Sequence, residues 1–114
     1  MQKFKTVEEL VGKVQPVGPV YCIRPNSIKT ACSWFKSNFP GKVLYAIKTN
    51  PNEKVVKLVG DSGIENFDVA SINEIKLIKK LFPNSRAYYM NTVKSREHIR
   101  EAYFNYNIKD FALD

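Results

Sequence analysis

Lys48 is the first residue of this chain whose surroundings suggest chemistry, because it ends the apolar run Val43–Ile47. Pro-Gly precedes the run and Asn-Pro follows it, which is typical of a buried parallel strand. Side chains alternate along a strand, so Leu44, Ala46 and Lys48 are expected to share one face. At the carboxyl end of a barrel strand an inward lysine is buried, and burial favours the neutral, nucleophilic amine. The pattern therefore predicts a Schiff-base lysine, with a strand-end lysine extending into solvent as the alternative.

The composition limits the classes of protein to which the chain can belong. With 114 residues it holds one modest domain, and no apolar run is long enough to cross a bilayer. The first residues lack the apolar core of a signal peptide, so we expect a cytoplasmic protein. Cys22, Cys32 and the single histidine, His98, form no metal-ligand pattern, which disfavours a structural zinc site. Both thiols are expected to be reduced and buried.

The positive charge is the one feature of the composition that could indicate nucleic acid. The net charge is +7, but the basic residues are spread along the chain. The densest group, Lys76, Lys79 and Lys80, falls on the polar side of a predicted helix. A solvated outer face is therefore the favoured interpretation, and we expect no nucleic-acid or membrane partner.

The elements that would position Lys48 alternate between strands and helices. Capping boxes at Thr6 and Ser71, prolines at 25 and 51 and a serine at 95 predict the starts of five helices. Five strands are predicted, at Val20–Ile23, Val43–Lys48, Ile64–Val69, Ala87–Met90 and Asp110–Leu113. This rhythm predicts right-handed βαβ units and a parallel sheet. No Gly-rich nucleotide loop follows the first strand, so a barrel is favoured over a doubly wound sheet.

Four segments resemble motifs of one enzyme family. Tyr45–Asn50 is similar to the Y-A-(V/I)-K-x-N motif of the group IV, fold-type III pyridoxal-phosphate decarboxylases, which act on ornithine, diaminopimelate, arginine and related basic amino acids. Phe67–Glu74 resembles the family's F-D-x-A-S-x-x-E segment. Tyr89–Ser95 resembles its Y-x-N-P-x-K-S segment, with Thr92 in place of the usual proline, and Phe111–Asp114 resembles its (T/F)-x-x-D strand.

The resemblance implies a fold and a domain division. Residues 1–16 are expected to form a helical lead-in. Residues 17–114 are expected to form the first half, about five strands, of a pyridoxal-phosphate-binding (β/α)8 TIM-type barrel like that of alanine racemase. The family's ring-stacking histidine, Gly-rich phosphate cup, pyridine-pairing acid and C-terminal β-domain have no counterpart among the 114 residues. The chain alone is therefore expected to be an inactive fragment.

The resemblance also implies roles for individual residues. Lys48 would form the internal aldimine with pyridoxal 5'-phosphate, and Asp68 would favour the protonated imine. Asp68 as a carboxylate near a helix N-terminus is the alternative. Ala70 would belong to the tight turn beside the cofactor. Asn50 and Asn91 could bridge loops around the site or simply form turns.

The implied function is decarboxylation of a basic amino acid. Among the subfamilies the chain most resembles ornithine decarboxylase, so the expected reaction is ornithine to putrescine, in a homodimer. A decarboxylase-like protein that binds or regulates without catalysis is the alternative.

Overall fold

The computed structural model describes residues 2–114 and contains five α-helices and one parallel sheet. The helices are α1 (Val7–Val14), α2 (Pro25–Asn38), α3 (Glu53–Asp61), α4 (Ile72–Leu81) and α5 (Arg96–Tyr106). The strands are β1 (Leu44–Ala46), β2 (Asn66–Val69), β3 (Arg86–Tyr89) and β4 (Asp110–Phe111). A single turn of 3-10 helix, Ile47–Thr49, follows β1 directly.

The sheet has the order β1-β2-β3-β4, with all three neighbouring pairs parallel. Helices α3, α4 and α5 connect successive strands, so each neighbouring pair is one βαβ unit. A doubly wound sheet reverses its strand order at a switch point, and these four strands do not. The predicted α/β class with a parallel sheet is confirmed, and the sequential order is that of the first part of a (β/α)8 barrel.

The predicted count of five strands is wrong for the described residues, because Val20–Ile23 is irregular and pairs with no strand. Only Ile23 of this segment packs against the core, and it is half-buried. The Tyr21 side chain is 99% exposed and Val20 is 47% exposed. A barrel strand is held by a neighbour on each side, whereas this segment could be held only by β1. The short apolar run alone therefore does not supply the burial that would fix a strand here.

The hydrophobic core lies between the sheet and the helices. In β2 and β3 alternate residues are buried, and these are Phe67, Val69, Ala87 and Tyr89. The helices and loops contribute the rest of the core, which includes Val55, Val56, Val59, Ile64, Ile72, Ile75, Ile78, Ala102 and Ile108. The apolar positions of α3 and α4 thus face the core. Of the two cysteines, Cys32 is buried as expected, but Cys22 is exposed because its segment is not part of the sheet.

The predicted helix starts are confirmed by their caps. The hydroxyls of Thr6, Ser71 and Ser95 each accept a hydrogen bond from the backbone N–H three residues later. Helix α3 passes through Gly60 and ends at Asp61. Gly60 lies against the ring of Phe82, where a side chain would collide.

The lysine group of α4 joins helices rather than forming a free basic face. Lys76 pairs with Glu101 of α5 at 3.0 Å, and Lys80 pairs with Glu53 of α3 at 2.7 Å. Lys79 donates at 2.7 Å to a carbonyl of the loop after α4.

Between residues 2 and 114, no helix has the length and apolar character needed to span a membrane.

Candidate active site

The predicted site residues lie at one edge of the sheet, where the carboxyl ends of the parallel strands meet. Ala46 of β1 pairs in register with Asp68 of β2, so their side chains share one face. Lys48 lies two residues beyond Ala46, and Ala70 lies two residues beyond Asp68. The structure therefore brings Lys48, Asp68 and Ala70 to the ends of two adjacent strands, which is where barrel enzymes carry their chemistry.

Lys48 does not continue the strand, and the expected burial of its side chain is wrong for the described chain. The strand ends at Ala46, and Ile47 is fully buried while Lys48 is exposed. The Thr49 hydroxyl donates at 2.7 Å to the Ala46 carbonyl, which would otherwise need a ladder partner. Burial of Ile47 and this hydrogen bond together turn the backbone into the 3-10 helix, so strand alternation no longer sets the direction of Lys48.

The Lys48 ammonium has no internal partner. Among residues 2–114 no carboxylate lies within ion-pair distance of it, and no carbonyl or hydroxyl accepts from it. The exposure of Lys48 matches the alternative of a strand-end lysine that extends into solvent, and it leaves the amine accessible to an aldehyde.

Asp68 is half-buried on the face of the sheet that the helices leave uncovered. Its carboxylate pairs with no cation within the described range 2–114. The alternative role at the N-terminus of α4 is already filled by Glu74, whose carboxylate accepts from the Ala70 N–H at 2.7 Å. Asp68 is therefore a carboxylate available to a ligand rather than to a helix end.

Asp110, the carboxylate on the same face of the sheet two strands from Asp68, is not available to a ligand. Asp68, Tyr88 and Asp110 are successive register partners across three strands. Arg86 donates to both Asp110 oxygens, at 2.9 and 3.1 Å, and these hydrogen bonds raise the pKa of Arg86. Arg86 thus neutralises Asp110, and Asp68 keeps the uncompensated negative charge of the row.

The turn after β2 is built by a reciprocal cap. The Glu74 N–H donates to the Ser71 hydroxyl at 3.3 Å, while the Glu74 carboxylate binds the Ala70 N–H. Ser71 is therefore the N-cap residue of α4, as the capping-box pattern predicted. The same cap fixes Ala70, which lies one residue beyond β2. The capping-box pattern identified Glu74 as a helix residue, but its bond to Ala70 was not predicted.

The two candidate asparagines have different structural roles. Asn91 donates from Nδ2 to the carbonyls of Ala70, at 3.4 Å, and Val93, at 3.1 Å, so it bridges the loops after β2 and β3. Asn50 accepts from the Asn52 N–H at 3.2 Å and forms a local turn. His98 is exposed in α5, as expected for a surface residue.

The residues present fit one end of pyridoxal phosphate. The free amine of Lys48 suits the aldehyde, and the unpaired carboxylate of Asp68 suits a cation that forms beside it. The phosphate end has no matching loop in the segments that follow β1 to β4, because none of these segments contains a glycine. The described residues thus fit the aldehyde end of the cofactor and not its phosphate end.

Comparison with known proteins agrees with this geometry. Residues 25–114 match the family model described as "Pyridoxal-dependent decarboxylase, pyridoxal binding domain". A lysine/ornithine decarboxylase of Selenomonas ruminantium is 34% identical over 73 residues, which are 63% of this chain and 18% of that protein. A diaminopimelate decarboxylase of Aquifex aeolicus (strain VF5) is 33% identical over 86 residues, 74% of this chain and 20% of that protein. The chain therefore spans about a fifth of the length of these relatives.

Solved structures show the same fold. A crystal structure of SrLDC in complex with PLP and cadaverine superposes with a TM-score of 0.80 at 25% identity, covering 100% of this chain and 30% of that one. A crystal structure of lysine decarboxylase from Selenomonas ruminantium also gives 0.80, at 24% identity over 99% of this chain and 30% of that one. The predicted barrel fold is confirmed, and so is pyridoxal 5'-phosphate as the cofactor of this kind of domain. The chain belongs to the pyridoxal-dependent decarboxylase family and carries the first part of its pyridoxal-binding domain.

Proposed function

We propose that this chain supplies the lysine-bearing part of the active site of a decarboxylase that acts on a basic amino acid. The observation that carries the proposal is the unpaired amine of Lys48 at the carboxyl edge of the sheet, beside the strand that bears Asp68. Pyridoxal phosphate supplies the electron-accepting ring on which an α-carboxylate is lost as carbon dioxide. Lys48 would hold the cofactor covalently and later assist proton transfer, while Asp68 would favour the cationic form of the nitrogen attached to it.

The wall of the site beside Lys48 would come from the turn after β2. The Ala70 backbone is held from both sides, by Glu74 at its N–H and by Asn91 at its carbonyl. A turn restrained at both groups can present its backbone at a fixed position, which favours binding of a rigid planar cofactor. This supports Ala70 as a cofactor-contacting residue.

The substrate we propose is ornithine, with putrescine as the product. The motifs resemble ornithine decarboxylase most, and one of the relatives is a lysine/ornithine decarboxylase. Lysine and diaminopimelate are the competing substrates, because the relatives include enzymes named for both. We further propose a cytoplasmic homodimer in which residues 1–16 form a lead-in and residues 17–114 form part of the barrel.

The test is a decarboxylation assay on the full-length protein that carries these residues. Carbon dioxide release is measured with ornithine, lysine and diaminopimelate in parallel, with and without added pyridoxal phosphate. We expect cofactor-dependent release, fastest with ornithine, and complete loss in Lys48→Ala. Full activity in Lys48→Ala would refute the proposed role of Lys48.

Lys57→Ala is a matched control, which shows whether loss of any exposed lysine lowers the rate or only loss of Lys48. Lys57 is also exposed, in α3, where it makes only an i,i+4 pair with Asp61 at 3.6 Å. Lys57→Ala should leave the rate unchanged. A folded protein that neither binds the cofactor nor releases carbon dioxide would instead favour the second candidate, a decarboxylase-like protein with a binding or regulatory role.

A further inference from the structure

Lys94 makes a set of contacts that its place on a loop does not require. It lies between β3 and α5 and is half-buried. Its ammonium donates to the carbonyl of Ala112 at 2.7 Å, to that of Thr92 at 3.3 Å and, by a short contact, to that of Asn91. The nitrogen also lies 5.4 Å from the centre of the Tyr89 ring. Its three protons therefore each have a backbone acceptor, and the charge has an aromatic face beside it.

These acceptors belong to two different strand ends. Asn91 and Thr92 follow β3, whereas Ala112 follows β4. The Ala112 N–H donates to the Tyr89 carbonyl at 3.1 Å. Lys94 adds a cross-link beyond this bond, between the segment that follows β3 and the segment that follows β4.

The cross-link continues to β2 through Asn91. The side chain of Asn91 donates to the Ala70 carbonyl, and the Met90 N–H donates to the Val69 carbonyl at 3.0 Å. Lys94 holds the backbone of Asn91 by its carbonyl. The ends of β2, β3 and β4 are thus joined in one hydrogen-bonded series, and Lys94 is the member that spans the last two.

A lysine in an exposed loop ordinarily extends its ammonium into water. Lys94 instead directs its ammonium to carbonyl groups, and within residues 2–114 it forms no ion pair. Hydrogen bonds from a charged donor are the stronger kind, and a neutral apolar side chain could not replace them.

We propose that Lys94 is a positioning residue of the pyridoxal site, which fixes the carboxyl ends of β3 and β4 and, through Asn91, the turn at Ala70. This inference rests on the proposed function, because it assumes that the cofactor lies at this edge. Groups that orient the backbone around a site control its affinity without touching the ligand. Loss of Lys94 should therefore weaken cofactor binding even though Lys48 is intact.

The test compares Lys94→Met with Lys94→Arg and with Lys109→Met in the full-length protein. Lys109 is the matched control because it is exposed, precedes β4 and also lies over a tyrosine ring, that of Tyr103, at 3.9 Å. Hydrogen exchange is measured at the Met90 and Ala112 amides, and the dissociation constant of pyridoxal phosphate is measured by titration.

We expect faster exchange at both amides in Lys94→Met and a dissociation constant raised roughly tenfold. Lys94→Arg keeps charged donors and should recover most of the affinity, while Lys109→Met should match the wild type in both measurements. If Lys94→Met does not fold, Lys94→Gln is measured in its place, with the same direction expected.

Two results would overturn the inference. Unchanged exchange would show that Lys94 does not hold the strand ends. Faster exchange with an unchanged dissociation constant would show that the cross-link stabilises the fold without positioning the site. Failure of the proposed function is distinguishable, because then the wild-type protein itself would not bind pyridoxal phosphate, and the inference would fall with it.

Discussion

Replacing Gly60 with alanine tests how closely α3 packs against the strand that carries Asp68. A Cβ at position 60 would lie 2.2 Å from Cζ of Phe82 and 2.5 and 2.7 Å from its two Cε atoms. Carbon atoms ordinarily approach to about 3.5–4.0 Å, so the ring would have to move by roughly 1.3 Å or more. The ring is not free to do so. It stacks on Phe67 at 5.8 Å with 11° between the planes, and Phe67 is fully buried next to Asp68.

Two opposing effects set the size of the change in stability. Overpacking costs about 1–3 kcal/mol. Replacing a helical glycine with alanine gains at most about 1 kcal/mol, and less here because Gly60 is the penultimate residue of α3. The overpacking cost should exceed the gain in helix propensity, so the free energy of unfolding should fall by about 1–2 kcal/mol. The melting temperature should fall by roughly 4 °C for each kcal/mol lost.

The assay is urea unfolding followed by circular dichroism. Gly12→Ala is the matched control, because Gly12 is also helical and nothing lies within 4 Å of its added Cβ. No residue of α1 is buried, so this change should leave the main unfolding transition unaltered. Gly60→Ala combined with Phe82→Leu should recover part of the loss. A Gly60→Ala protein more stable than the wild type would refute the packing described for α3, Phe82 and Phe67.

Three further predictions follow from the contacts described above. Ser71→Ala should lower the free energy of unfolding by about 1 kcal/mol, because it removes the N-cap of α4; thermal melting measures this, and an unchanged melting temperature would contradict it. Arg86→Met should lower the urea midpoint only slightly, and less in high salt, because the pair with Asp110 is partly exposed; a large, salt-independent loss in urea unfolding would contradict this. Burial raises the pKa of the Cys32 thiol, so iodoacetamide should modify the exposed Cys22 first and Cys32 only at higher pH, as peptide mass mapping would show. The stability linked to the neutral Cys32 thiol is present below the ordinary thiol pKa and is lost as pH rises toward the raised value; equal alkylation of both cysteines near neutral pH would contradict the burial.

Short sequence patterns predicted the helix starts and the core-facing positions. The capping boxes at Thr6 and Ser71 located helix starts, and the apolar positions of α3 and α4 became core residues. The resemblance implied roles for Lys48 and Asp68, and the register places Ala46, two residues before Lys48, beside Asp68. These features depend on hydrogen bonds and periodicity within a few residues, which a sequence displays directly.

The features that were not predicted depend on contacts distant in the sequence. The irregular form of Val20–Ile23 accompanies the exposure of Val20 and Tyr21, which the apolar run itself cannot reveal. The turn at Lys48 depends on burial of Ile47 among side chains from other elements. The bond from Lys94 to Ala112 joins residues 18 positions apart. Such contacts are set by tertiary packing, which overrides local propensity.

The most direct test of the account is to locate the covalent attachment of the cofactor. The full-length protein is incubated with pyridoxal 5'-phosphate, reduced with borohydride and analysed by intact mass and peptide mapping, alongside Lys48→Met and the control Lys57→Met. Lys48 is exposed and, among residues 2–114, makes no ion pair, so its replacement should change the free energy of unfolding by less than about 0.5 kcal/mol. The account predicts a single pyridoxyl adduct on Lys48 that is lost only in Lys48→Met. An adduct distributed over several surface lysines, or one that persists in a folded Lys48→Met protein, would contradict it.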